Sequence, residues 1–338
     1  MFALLLIWIQ FAACAALIVY AGAALSRYGD IIADKTGLSG NWVGLILLAT
    51  VTSLPELATG ASAVTVANAP NIAVGDVLGS CVFNLMLLVV LDFLHREESF
   101  YRRASQGHIL SAAFGIVLIG LAGASILFAQ HSALISFRHI GIYVPIFIIL
   151  YFAAGRAIFF YQRDHITEDV EESASRYPDT TLMQALARYG LSATIVVAAG
   201  IWLPFIGTEL ADAMHWQKSF VGTMFIAGAT SLPELSVTVA ALRLRALDMA
   251  IASLLGSNLF DIVILAIDDL LYKQGPLLAH VSDMHAMTAM SAVIMNGMII
   301  IGLLYRPQHR VMRAVGWVSI GLALVYLLNS YVMYLYGE

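Results

Sequence analysis

Two glutamates stand in identical surroundings. Glu56 lies in the run Thr52-Ser53-Leu54-Pro55-Glu56-Leu57, and Glu234 lies in Thr230-Ser231-Leu232-Pro233-Glu234-Leu235, the same six letters. About twenty residues further on, each run is followed by a second shared block. These are Leu78-Gly79-Ser80-Cys81-Val82-Phe83-Asn84 and Leu255-Gly256-Ser257-Asn258-Leu259-Phe260-Asp261. Thr52 and Glu56 are four apart, as are Thr230 and Glu234, so each pair shares one helix face. Ser80 with Asn84, and Ser257 with Asp261, repeat that spacing. Proline has no N–H and its ring clashes with the carbonyl four residues earlier, so Pro55 and Pro233 should kink their helices. The carbonyls of Val51 and Ala229 would lose their partners, with those of Thr52 and Thr230 close behind. In hydrocarbon an unsatisfied carbonyl costs several kcal/mol unless something answers it, and a cation can. Hydroxyl, carbonyl, amide and carboxylate oxygens, with no His or Cys in the stripe itself, suit a hard cation. Calcium takes about six to eight such oxygens at about 2.3–2.6 Å.

Charge narrows the chemistry further. Glu56 and Glu234 supply two negative charges, which one Ca2+ would neutralise without protons. Asp261 adds a third, whereas its repeat partner Asn84 is neutral. Three carboxylates close together in a low dielectric do not all ionise easily, so one should hold a proton or a sodium ion. A site that can be filled but is costly to leave empty favours exchange over leak.

The elements that position these groups must cross a membrane. Of the 338 residues, 60% are hydrophobic and 12% charged, about half the charged fraction of soluble domains, roughly 25%. Apolar runs of about twenty residues, enough to cross a bilayer core of about 30 Å, recur along the whole length. We place ten helices near 2–26, 41–67, 72–94, 107–128, 139–161, 182–205, 219–242, 248–271, 284–304 and 312–334. The first run lacks a basic leader and is too long for a secretory signal, so it reads as a spanning helix. Cys14 and Cys81 both lie in apolar runs and give no disulfide framework. The fold expected is an all-α polytopic membrane protein with a first five-helix repeat over 1–161, a cytoplasmic linker over 162–181 and a second repeat over 182–338.

Basic residues give the orientation. Fourteen of the seventeen Lys and Arg fall in alternate loops, leaving only Arg138, Lys218 and Lys273 for the other side. The positive-inside rule puts the basic loops in the cytoplasm and both termini outside. Five helices per half then invert the second half relative to the first. With an offset of 178, Gly29 falls on Gly207 and Asp34 on Asp212; after one deletion Asp92 falls on Asp269. Inverted repeats of this kind hold their substrate sites near the midplane, where the halves meet.

The two motifs resemble the α-repeats of the cation/Ca2+ exchanger superfamily, and within it the Na+/Ca2+ exchanger branch. The resemblance implies that Glu56 and Glu234 are the principal Ca2+ carboxylates, with Thr52 and Thr230 giving carbonyl oxygens. It implies that Ser53, Ser231, Ser80, Ser257, Asn84 and Asp261 complete flanking Na+ sites, and that helices 1 and 6 slide across the remaining bundle to alternate access. The linker is too short for the large Ca2+-sensing insert of eukaryotic members, so a compact prokaryotic-type exchanger of the plasma (inner) membrane is implied. A monomer should suffice, surrounded by lipid, with inorganic cations as cargo, no cofactor, no enzyme activity and no nucleic-acid partner. The family also contains H+-coupled members.

The repeats are not identical. Cys81 stands where the second repeat has Asn258, and Asp76, one turn before Ser80, stands where it has Ser253. Asp76 reads either as a cap at the outer end of helix 3 or as a modifier or proton site. Asp92 and Asp269 are expected at solvated helix ends, and Ser62, Thr65 and Thr238 are expected to bond back to their own helices. A cation channel built on a ring of carboxylates is the alternative of a different class, but two central glutamates in an inverted repeat suit alternating access better. No zinc motif or aspartate dyad points to an intramembrane hydrolase.

Overall fold

A computed structural model describes residues 2–36, 51–95, 100–131, 136–165, 179–243, 246–307, 310–311 and 315–337. The spans are α1 (Phe2–Lys35), α2 (Leu54–Thr65), α3 (Pro70–Leu94), α4 (Gly107–His131), α5 (Tyr143–His165) and α6 (Leu182–Met214). They continue with α7a (Lys218–Thr230), α7b (Leu232–Arg243), α8 (Leu247–Leu271), α9 (Met284–Tyr305) and α10 (Trp317–Tyr336). Eight of these are long and apolar enough to cross a membrane by themselves, and the bent pair α7a–α7b makes a ninth. Val51 and Thr52 are helical and lead into α2; the rest of the second expected helix, 41–50, lies outside the described residues, as does linker segment 166–178.

The two longest helices exceed expectation. α1 runs nine residues beyond position 26, and α6 passes through Pro204 to Met214. They lie antiparallel along each other, since Arg188 Nη1 donates to Tyr28 Oη at one end and Trp8 meets Trp216 edge-on at the other. The most buried spans are α3 and α8, apolar nearly all round, as a central helix must be. Outward faces carry exposed Leu5 and Leu17 of α1, Ile149 and Phe152 of α5, and Leu324 and Leu327 of α10, a surface for lipid tails.

Both proline motifs break their helices, as the sequence requires. α7a and α7b bend by 41° at Ser231, whose φ and ψ are −85° and 7°. Ser53, its repeat mate, adopts −86° and 14°. The long helices seat glycines on these breaks. A Cβ at Gly22 of α1 would collide with the Pro233 ring, and one at Gly200 of α6 would lie 3.2 Å from the Pro55 carbonyl. Gly22 and Gly200 are themselves repeat mates, as are Pro55 and Pro233. α7a also contains a π-helical turn, Gly222–Ile226, where it crosses α3 so closely that a Cβ at Gly75 would lie 3.0 Å from Gly222 Cα.

Asp92 and Asp269 are not solvated. Both are buried, and each holds the hairpin that precedes the last helix of the other repeat. Asp92 Oδ2 accepts from Gly316 N at 2.6 Å and Ser319 Oγ at 2.7 Å, beside the strands Arg310–Val311 and Val315–Gly316. Asp269 accepts from Gly141 N at 3.0 Å, Leu277 N at 2.7 Å and the Tyr143 hydroxyl, beside Ser136–Phe137 and Ile140–Gly141. Backbone N–H groups at a membrane boundary need acceptors, and these carboxylates supply them. Of the expected back-bonding hydroxyls, Thr65 does donate to Ala61 O at 2.6 Å, but Ser62 reaches across to Ile201 O of α6 at 2.7 Å. Thr238 Oγ1 has no hydrogen-bond partner among the described residues.

Candidate cation site

Four helices meet where the two breaks face each other. Glu56 and Glu234 sit in the first turns of α2 and α7b, directly after their prolines, and both are buried. Ser231 Oγ lies 3.2 Å from Glu56 Oε1 and 2.9 Å from Ser80 Oγ. Thr52 Oγ1 lies 3.4 Å from Ser257 Oγ. Ser231–Glu56 joins the two breaks, and Ser231–Ser80 and Thr52–Ser257 each carry one repeat's broken helix to the central helix of the other. Glu56 also sits beside the Thr230 hydroxyl, and Glu234 beside that of Thr52.

The central helices are tied by an approximately twofold arrangement. Asn84 Nδ2 donates to Asn258 Oδ1 at 3.1 Å, and Asn258 Nδ2 donates to the Cys81 carbonyl at 3.1 Å. Cys81 Sγ in turn lies 3.8 Å from Asp261 Oδ2 and 3.9 Å from the Asn258 carbonyl. Cys81 and Asn258 are repeat mates, as are Asn84 and Asp261, so the contact set maps onto itself. Asn258 escaped the sequence reading as a site residue; its signal was membership of the second shared block.

The site has fewer donors than its oxygens could accept from. Glu56 Oε2, both oxygens of Glu234, Asp261 Oδ1, Asn84 Oδ1 and Ser53 Oγ are buried without a hydrogen-bond partner among the described residues. Glu56, Glu234 and Asp261 interact electrostatically with one another, and Asp76 with Glu56 and Asp261. Buried polar oxygens are normally paired, and an unpaired carboxylate is costly in proportion to its charge. Unpaired oxygens gathered from both repeats call for a positively charged ligand. Among the described residues no three His, Cys, Asp or Glu side chains converge tightly enough to hold a metal by themselves, so a cation here would need hydroxyl, amide and carbonyl oxygens as well. Asp76 does not cap the end of its helix by exposure. It is buried and accepts from Thr230 Oγ1 at 2.8 Å, which ties it to the second motif.

The family follows from comparison with known proteins. A model of the sodium/calcium exchanger protein family matches residues 6–160 and 185–332, which covers both repeats. The chain belongs to that family. Sodium/calcium exchanger proteins are transporters rather than enzymes, and this family member is an integral membrane cation/Ca2+ antiporter. It is 26% identical over 252 residues to the inner membrane protein YrbG of Escherichia coli (strain K12), covering 73% of this chain and 74% of that one. In structure it is similar to native YfkE, with a TM-score of 0.68 at 16% identity over 96% of this chain and 92% of that one. It is similar also to the sodium-calcium exchanger NCX_Mj, with a TM-score of 0.61 at 21% identity over 96% and 97%. At these identities the solved structures establish the exchanger fold alone.

Proposed function

We propose that this protein exchanges Na+ for Ca2+ by alternating access at a midplane site built on Glu56 and Glu234. The observation that carries the reading is the set of buried, donor-free oxygens that both repeats direct to one place. Ca2+ would be held by the two glutamates with the carbonyls of Thr52 and Thr230. Ser53, Ser231, Ser80, Ser257, Asn84 and Asp261 would serve flanking Na+ sites. Calcium neutralises the two glutamates directly, whereas several Na+ would satisfy the same oxygens piecemeal, so the two loads compete. A site with neither load leaves buried carboxylates unpaired, a state too costly to cross between faces. That cost couples the opposing fluxes.

The loop charges support a topology with both termini outside and the 162–181 linker in the cytoplasm, joining halves 1–161 and 182–338 in a prokaryotic plasma membrane. One chain holds every proposed ligand, so a monomer would suffice for transport. The deciding measurement is radiolabelled Ca2+ uptake into proteoliposomes loaded with Na+ and diluted into Na+-free buffer at equal pH. Uptake that requires internal Na+ supports the reading. Uptake driven only by a pH gradient would replace it with H+ coupling, the second reading, which the buried Asp76–Thr230 contact favours.

A further inference from the structure

Asp268 takes no part in the site described above. It lies on α8, seven residues after Asp261 and so on nearly the same helix face, about 10 Å further along the axis. The side chain is fully buried, and neither oxygen has a hydrogen-bond partner among the described residues. It presses on α2 at Gly60, where a Cβ would collide with the carboxyl group. Gly60 stands one turn beyond Glu56. The glycine thus makes room for an acid in a wall that is otherwise closed.

The repeat shows that this pair is an addition rather than a requirement of the fold. At the equivalent positions of the other half stand Leu91 for Asp268 and Thr238 for Gly60. Asp268 therefore lies on one side of the midplane only, the side whose loops carry few basic residues. The charged groups facing it are also acids: Asp269, next in the chain, and Asp76 of α3. A metal ion would need several further oxygens, and among the described residues no polar side chain bonds to this carboxyl. A proton needs none.

We propose that Asp268 is a proton-binding site that governs closure of the outer half of the transport pathway. With the proton bound, the neutral carboxyl stays packed dry against Gly60 and that half is closed. Without it, the carboxylate must draw in water, which separates α2 from α8 and opens that half. Acid on the outer side therefore slows turnover. This goes beyond the Na+/Ca2+ reading and holds whichever ion is coupled.

The test is Ca2+ transport in proteoliposomes at saturating Ca2+, where protons no longer compete effectively for the central carboxylates, with pH clamped equal on both sides and stepped across the stable range. The expected result is a one-proton rise in turnover with pH in the wild type and loss of that step in Asp268→Asn, which is permanently neutral. The step surviving in Asp268→Asn would overturn the proposal. So would loss of a bound Na+ from that variant with the pH step intact. Should Asp268→Asn fail to fold, Asp268→Leu, the other repeat's own residue, takes its place. Infrared difference spectra of Ca2+-loaded wild type provide an independent readout: a protonated-carboxyl band that disappears in either variant is expected, and a band unchanged in both would overturn the assignment.

Discussion

Ser231 Oγ, from the break in one repeat, lies 3.2 Å from Glu56 Oε1, from the break in the other. The same hydroxyl lies 2.9 Å from Ser80 Oγ, so three helices share one atom. A hydrogen bond to a charged group contributes about 1.5–3 kcal/mol, and about 1.4 kcal/mol is a factor of ten in affinity. Ser231→Ala should therefore weaken Ca2+ binding by about tenfold or more, measured by isothermal titration on purified protein, with little change in expression.

Glu56→Gln and Glu234→Gln should each abolish Ca2+ transport, because a neutral amide brings donors where the ion needs charge. Binding also stabilises. At about 100 times its dissociation constant a ligand adds about 2.7 kcal/mol to the folded state. Calcium should raise the unfolding temperature of the wild type in detergent, chelation should reverse the rise, and neither glutamine variant should respond. A glutamine variant that transports at the wild-type rate would remove its glutamate from the site.

At the proposed site protons and cations would compete for the same oxygens. In the proposed site Ca2+ would bind the ionised carboxylates of Glu56 and Glu234, so binding would release whatever protons they carried. Apparent Ca2+ affinity should fall as pH falls, while the maximal rate extrapolated to saturating Ca2+ is spared this particular effect. Affinity that is flat with pH would mean that the empty site carries no exchangeable proton.

Asp92 and Asp269 should behave as structural residues. Each accepts from one backbone N–H of the hairpin at its own membrane face, and Asp269 accepts also from Leu277 N. A buried donor left without its acceptor costs about 1–3 kcal/mol. Asp92→Ala and Asp269→Ala should lower thermal stability by that order per lost partner, with Ca2+ affinity unchanged in the protein that folds. Loss of Ca2+ binding without loss of stability would bring either residue into the site.

Much of this was legible beforehand because the bilayer restricts the vocabulary. Only helices satisfy their own backbone in lipid, so apolar run length gave the spans, and the duplicated Thr-Ser-Leu-Pro-Glu run gave the breaks. The expected kinks at Pro55 and Pro233 appear as matched turns at Ser53 and Ser231. Side-chain partners across helices were not legible, because pairing depends on crossing geometry that spacing along one chain does not encode. Asn258 looked like a variation on Cys81, yet it ties α8 to α3 through the Asn84 amide. Asp92 and Asp269 looked like residues at wet helix ends, since nothing local announces that a hairpin folds over them. Asp268 was not legible because the other repeat has Leu91 in its place, and the room made for it by Gly60 exists only where α2 and α8 cross.

The glycine seats at Gly22 and Gly200 carry a mechanical consequence. Each presses a bare backbone against a proline break that also shapes the cation site. Displacing α1 by one turn would set Ile18 or Ser26 on Pro233, and the same shift of α6 would set Val196 or Pro204 on the Pro55 turn. The next glycines, Gly29 and Gly207, come two turns away. Sliding of the two long helices would therefore run as a ratchet with a detent: stable positions would be discrete, intermediate ones sterically crowded, and the detent cut into the turns at Ser53 and Ser231 themselves.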